Sequence, residues 1–178
     1  MSHIYLAAET AAMRYQTRDP YKLLEGIGAI IHYRYDFDQK GLKGFATIIN
    51  RVMYAVINGN LSKGERKVVA GHEAGHLIQH KAEIMLSPAQ ALKDFNLYDN
   101  SGRLEYEANS FLADFLVSDD DVLDVVSNED GDYFSNANDL CIPPPLFAFK
   151  LHSMMRRGIK IRSPVDLQSG FLAKGSMW

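Results

Sequence analysis

The stretch Gly71-His72-Glu73-Ala74-Gly75-His76 decides how the rest of the chain is read. Residues four apart on a helix point to nearly the same side, so both imidazoles can reach one ion. The glutamate between them is rotated about 100° from its neighbour and can address a water on that ion. The spacing does this only on a helix, and the flanking residues predict one. Ser62 with Glu65 three residues later has the pattern of a capping box. Val68, Val69, Ala70, Ala74, Leu77 and Ile78 then give a broad apolar face behind the charged Glu65, Arg66 and Lys67, as expected of a core helix.

Upstream, β-branched and aromatic residues gather between Gly44 and Ile57 on either side of Asn50-Arg51, which reads as a hairpin, with Asn58-Gly59-Asn60 closing its second strand. Before it, Ile4 to Tyr15 suits a helix, and Asp19-Pro20 starts another running to Ile27. Downstream, Ile84 to Asn100 carries mixed signals, including Ser87-Pro88, and reads as a connection holding a short helix. Arg103 to Val117 has Leu104, Ala108, Phe111, Leu112, Phe115 and Leu116 at helical spacing. Ser118 and three aspartates end or restart that helix. Asn128 to Tyr133 is turn-rich, and the three prolines after Ile142 lead into a last helix from Leu146 to about Arg157. There is no internal repeat and no dividing linker, so a single domain over 1–178 is expected.

Composition narrows the function classes. The 178 residues, 47% hydrophobic and 23% charged, have the balance of a globular protein large enough to bury a core without a structural metal. A net charge of -3 and pI near 6.0 provide no global field for phosphate, so direct nucleic-acid binding is not expected. Cys141 is the single cysteine, which excludes an intrachain disulfide and a cysteine-based zinc knuckle and fits a reducing compartment. It reads as a small buried hydrophobe. The N-terminus lacks a basic start and a sustained apolar run, and no segment approaches the roughly 20 apolar residues of a membrane span. The expected location is the cytoplasm, with no membrane partner.

Two surface histidines on an unrelated helix would require nothing further, whereas a zinc site that does chemistry usually takes a third protein ligand and keeps its fourth position open. Glu105 and Glu107, opening the second long helix in Arg103-Leu104-Glu105-Tyr106-Glu107-Ala108-Asn109, are the candidates. His80 lies another turn beyond His76. Three histidines at successive i+4 positions drift around the helix and cannot all converge, so His80 is read as a buried or supporting residue rather than a ligand. His32 and His152 have no partner in sequence and are not assigned as ligands.

These motifs resemble the ImmA/IrrE family of metallo-endopeptidases and, more distantly, the small gluzincins, in which HExxH is followed by a helix reading ExxxD or ExxxN. The likeness runs from the hairpin and Asn58-Gly59-Asn60-Leu61, through Gly71 to His80, to Phe111-Leu112-Ala113-Asp114-Phe115-Leu116, a little over a third of the chain. It implies an α+β, zincin-like fold with a small antiparallel sheet or hairpin packed on the HExxH helix. It also implies Glu105 as the third ligand and Asn109, one turn later, as the residue that orients a histidine, leaving Glu107 as a solvated charge. Where the family often has Met-Pro after this helix, Val117-Ser118 stands here, a difference that bears on substrate preference.

The implied activity is that of a zinc endopeptidase: His72, His76 and Glu105 hold Zn2+, and Glu73 is the general base that takes the proton of the water and hands it to the leaving amine. Tyr98, Tyr106, Tyr133 and His152 are equally open as the transition-state donor. The second strand, Val52 to Ile57, is expected to be an edge that pairs with an extended substrate. The resemblance implies a protein substrate, a repressor-type transcription factor of a mobile element or stress locus. The competing reading is a metal-containing binding module, one half of a toxin-antitoxin-like pair, against which the intact Glu73 argues.

Overall fold

Asn50 and Arg51 both adopt positive φ, 51° and 66°, in the computed structural model, which describes residues 3–86, 92–94, 98, 102–127 and 131–161. That pair of left-handed residues is the two-residue turn whose twist matches the strands it joins. It links β2 (Gly44–Ile49) to β3 (Val52–Asn58), with Ile49 opposite Val52. The elements before them are α1 (His3–Tyr15), α2 (Pro20–Gly26) and β1 (Ile30–Arg34). Asp19 caps α2 by accepting from the amides of Tyr21 and Lys22, and Pro20 needs no amide bond in that first turn.

After the hairpin come α3 (Lys63–Gln79), α4 (Lys81–Leu86) and β4 (Leu92–Asp94). The Ser62–Glu65 capping box is present in both directions, a contribution of about 1 kcal/mol to the start of α3. The chain continues with α5 (Arg103–Leu116), α6 (Asp119–Val126), α7 (Tyr133–Asp139) and α8 (Pro144–Arg156). Ser118 forms a second capping box with Asp121, so the aspartates after Ser118 restart a helix.

The fold class is α+β, with the expected hairpin packed on the HExxH helix; α3 lies against β2 and β3. The sheet is mixed, in the order β1-β3-β2-β4, with β1 parallel to β3 and the other neighbours antiparallel. This corrects the expectation that Val52 to Ile57 forms an edge. β3 is hydrogen-bonded on both sides, because β1 pairs with it from Ile30–Tyr54 to Arg34–Asn58. No helix among the described residues is long and apolar enough to cross a membrane.

The chain divides into two compact units, Thr10–Leu97 and Met1–Glu9 with Tyr98–Trp178, α1 passing from the second into the first. In the first, Ala46, Ile48, Ala55 and Ile57 of the sheet and Val69, Ala70, Ala74 and Leu77 of α3 are buried. In the second, α5 packs on α8, and Phe147, Leu151 and Met154 join Val122 and Ala137 in a continuous apolar cluster.

An ion network is buried in the same unit. Lys150 Nζ is 3.1 Å from Asp114 Oδ1 and 2.8 Å from Asp119 Oδ1, and Ser153 Oγ donates to Asp114 at 2.7 Å. Arg157 pairs with Asp119 at 2.5 and 2.8 Å and lies 3.6 Å above the Tyr5 ring. Burial raises the Asp114 carboxyl against the pull of Lys150. Burial also opposes ionisation of Asp119, yet the bonds from Arg157 and Lys150 outweigh it and bring that group down to about 2.

Cys141 departs from expectation. It is exposed, with φ of 53°, because it is the left-handed residue closing α7: its amide bonds Asn138 O, and Ile142 N bonds back to Ala137 O. That turn sends Ile142 into the core and Cys141 outward. At the end of the polar run, Tyr133 already lies in α7, capped by Asp132. The short helix expected between Ile84 and Asn100 begins earlier, at Lys81; Ser87-Pro88, Asn96, Asn100 and 128–130 lie outside the described residues.

Candidate metal centre

The metal-binding pattern is carried by the middle of α3, whose one face meets the sheet, so that His72, Glu73, His76 and His80 are all buried. Nε2 of His72 and Nε2 of His76 are 2.9 Å apart, with the rings nearly perpendicular at 80°. Two imidazole nitrogens bound at 2.0–2.1 Å to one tetrahedral ion would be about 3.3 Å apart, so this pair needs only a slight opening to take one. Its donor chemistry suits zinc or another divalent ion of similar softness.

The other face of His76 is also committed: its Nδ1 is 3.0 Å from Nδ1 of His80. Once Nε2 of a histidine faces an ion, Nδ1 must carry the proton, and here it meets a ring nitrogen able to accept it. The i+4 spacing of His76 and His80 already held this contact; sequence reading placed His80 correctly as buried without naming what it touches.

Gly44, at the start of β2, passes directly over the helix. A Cβ there would lie 2.8 Å from Glu73 Oε1, 2.5 Å from Val69 Cγ1 and 2.9 Å from the carbonyl oxygen of Val56, so only glycine lets the strand run this close. The loop feeding into Gly44 is fixed by the Asn58-Gly59-Asn60 turn. The buried Asn58 side chain donates to the carbonyls of Asp38 and Leu42, and Asn60 donates to those of Tyr35 and Phe37. Gly59 leaves room for the Tyr35 ring, which an added Cβ would strike.

In the other unit, α5 presents Glu105 half-buried in its first turn and Asn109 buried one turn on. Glu107 is not a solvated charge: it is buried and accepts from Arg103 at 3.1 and 3.2 Å, an i,i+4 pair in which the arginine stays in solvent. Tyr106, flanked by Phe149, has its hydroxyl 3.1 Å from Nδ1 of His152, whose pKa is lowered by burial and by the nearby Arg156. The sequence offered no signal for this contact, since 46 residues separate the partners.

The family model described as the IrrE N-terminal-like domain of the M78 peptidases matches residues 30–151, which takes in the sheet, α3 and α5 to most of α8. The chain belongs to the M78 peptidase family. Membership carries a protease-like role and the metal dependence general to M78 peptidases. The chain is also 30% identical over 117 residues, 65% of its own length and 69% of the other, to a protein of Bacillus phage phi105 named "Uncharacterized immunity region protein 2".

Proposed function

We propose that the protein is a zinc-dependent endopeptidase of the gluzincin type, with His72, His76 and Glu105 as metal ligands and Glu73 as general base. The observation that carries the reading is the pair of buried imidazoles aimed at each other from one helix with a buried glutamate between them in sequence. Support also comes from donor chemistry: His72, His76 and Glu105 together are a two-histidine, one-carboxylate set that could hold a metal ion. In this reading Asn109 helps orient a ligand histidine.

A zinc ion held there would supply a water of lowered pKa and a polarised scissile carbonyl. With such an ion in place, Glu73 would accept the proton of the attacking water and return it to the leaving amine, without a covalent enzyme intermediate. His80 keeps the proton of His76 on Nδ1, away from the metal face. The name of the phage relative, an immunity region protein, supports a regulatory role; in this reading the substrate is a repressor-type protein of a mobile element, met in the cytoplasm.

The test is to incubate zinc-loaded wild type and Glu73→Gln with candidate repressors from the protein's own locus, following cleavage and complex formation together. Glu73→Gln should keep metal and fold and lose cleavage by about 10² to 10⁴-fold. Unchanged cleavage would remove Glu73 from the mechanism, while tight binding by both proteins without cleavage by either would favour the binding-module reading.

A further inference from the structure

The strand that runs over the proposed base, β2, has an outer edge, and the chain itself sits on that edge. β4 pairs antiparallel with β2 over three positions, Gly44–Asp94, Phe45–Lys93 and Ala46–Leu92. Gly44 is also the residue whose missing Cβ admits Glu73 Oε1 and Val69. Neighbouring strands are about 4.8 Å apart, so whatever strand lies along β2 at Gly44 runs its backbone one spacing from the strand that covers the Glu73 carboxylate. On its inner side β2 pairs with β3 along its whole length, from Gly44–Ile57 to Ile49–Val52. On its outer side the described pairing stops after three residues.

We infer that β4 is a self-strand that occupies the peptide-binding edge of β2 and must be displaced before an extended substrate chain pairs there. Cleavage of the bound chain rests on the proposed peptidase function, whereas the occupancy of the edge does not. The three described residues of β4 form only a few ladder hydrogen bonds. An incoming extended peptide can make the same main-chain bonds over more of β2 and add side-chain contacts, so exchange is downhill for a good partner and uphill for a poor one. The device lowers the apparent affinity for every peptide by the fraction of molecules in which the edge is free. A protease left in the cell between episodes of use is thereby held back without a separate inhibitor.

The register supplies the test. Directly opposed antiparallel residues have Cα atoms about 4.5–5.5 Å apart, inside the range a disulfide spans. Phe45→Cys/Lys93→Cys, made in the full zinc-loaded chain with Cys141→Ser, should therefore close on oxidation, read by mass. Fluorescent unfolded casein serves as a sequence-diverse extended probe, with binding measured in the added presence of Glu73→Gln and turnover measured with Glu73 intact. Oxidation should weaken casein binding by at least about tenfold, and reduction with a phosphine should restore it. Failure of the bond to form overturns the proposal, as does equal binding in the oxidised and reduced states.

A second variant works in the opposite direction. Successive strand residues direct their amides to opposite sides, so one of Leu92 and Lys93 donates toward β2, and Leu92→Pro/Lys93→Pro removes that donor whichever it is. It should bind casein more tightly than the parent; binding unchanged or weakened, with zinc content and helical circular dichroism retained, counts against the self-strand. If the lock controls binding while no Glu73-containing form cleaves casein, the occupied edge stands, and the peptidase reading is decided separately by the candidate repressors.

Discussion

Nδ1 of His76 lies 3.0 Å from Nδ1 of His80, the residue that caps the C-terminus of α3. An acceptor at that place fixes which nitrogen of His76 is free for metal. His80→Phe, which keeps a flat ring and removes the acceptor, should lower zinc affinity about 10 to 100-fold in competition with a coloured chelator, the usual cost of losing such a partner. His80→Asn should lose less. Equal losses in the two variants would mean that His80 acts through packing alone.

Glu105 and Glu107 should separate cleanly. Glu105→Gln is expected to release zinc to the chelator far sooner than wild type. Glu107→Gln disturbs an ion pair whose arginine is solvent-exposed, so its effect should be a stability change of under about 1 kcal/mol with metal retention unchanged. The reverse ordering would transfer the ligand role to Glu107.

Two glycines, one beside Glu73 and one in the first turn of α3, should answer in opposite senses to the same change. Gly44→Ala meets Val69, Glu73 and, less yieldingly, the Val56 backbone oxygen, so urea unfolding should show a loss of about 1–3 kcal/mol, with turnover falling beside it. Gly64, in the first turn of α3, has nothing within 4 Å of an added Cβ. Gly64→Ala should stabilise the protein by up to about 1 kcal/mol. A tolerated Gly44→Ala would mean that β2 does not run against Glu73 in solution.

Acid sensitivity should trace to Asp119. Its folded pKa of about 2 lies below the ordinary 3.8, so its stabilising contribution is complete above that ordinary value and is lost as pH falls from about 4 toward 2. Asp114, raised by burial, acts with the opposite slope above 3.8, so the two are distinguished by mutation. Asp119→Asn should flatten the urea midpoint between pH 4 and 2. Lys150→Met, which leaves Asp114 buried without its amine partner, should cost about 3–5 kcal/mol at neutral pH.

What was legible in the sequence was local. The helix of His72 and His76, the Ser62–Glu65 capping box, the Asn50-Arg51 turn and the α5 periodicity depend on residues within a few positions of one another. β1 was not legible, because its place is set by parallel pairing with a strand some twenty residues away, and with it went the position of β3 within the sheet. Cys141 was misjudged for a related reason: its apolar neighbours suggest burial, but a left-handed turn separates its direction from that of Ile142. Glu107 looked like one more surface acid until the helix face it occupies was known.

Lys150 gives the helical unit a built-in chemical clock. Its amine is wholly enclosed, whereas Lys22, Lys63, Lys81 and Lys160 stand in solvent. An acylating reagent applied to the native protein will therefore modify those lysines at once and reach Lys150 only when the unit opens. An acylated Lys150 has lost the charge that Asp114 and Asp119 require, so each opening is trapped as it happens. The rate at which that single peptide gains mass then measures the opening of the unit directly, without a denaturant, a fluorophore or an assay of activity.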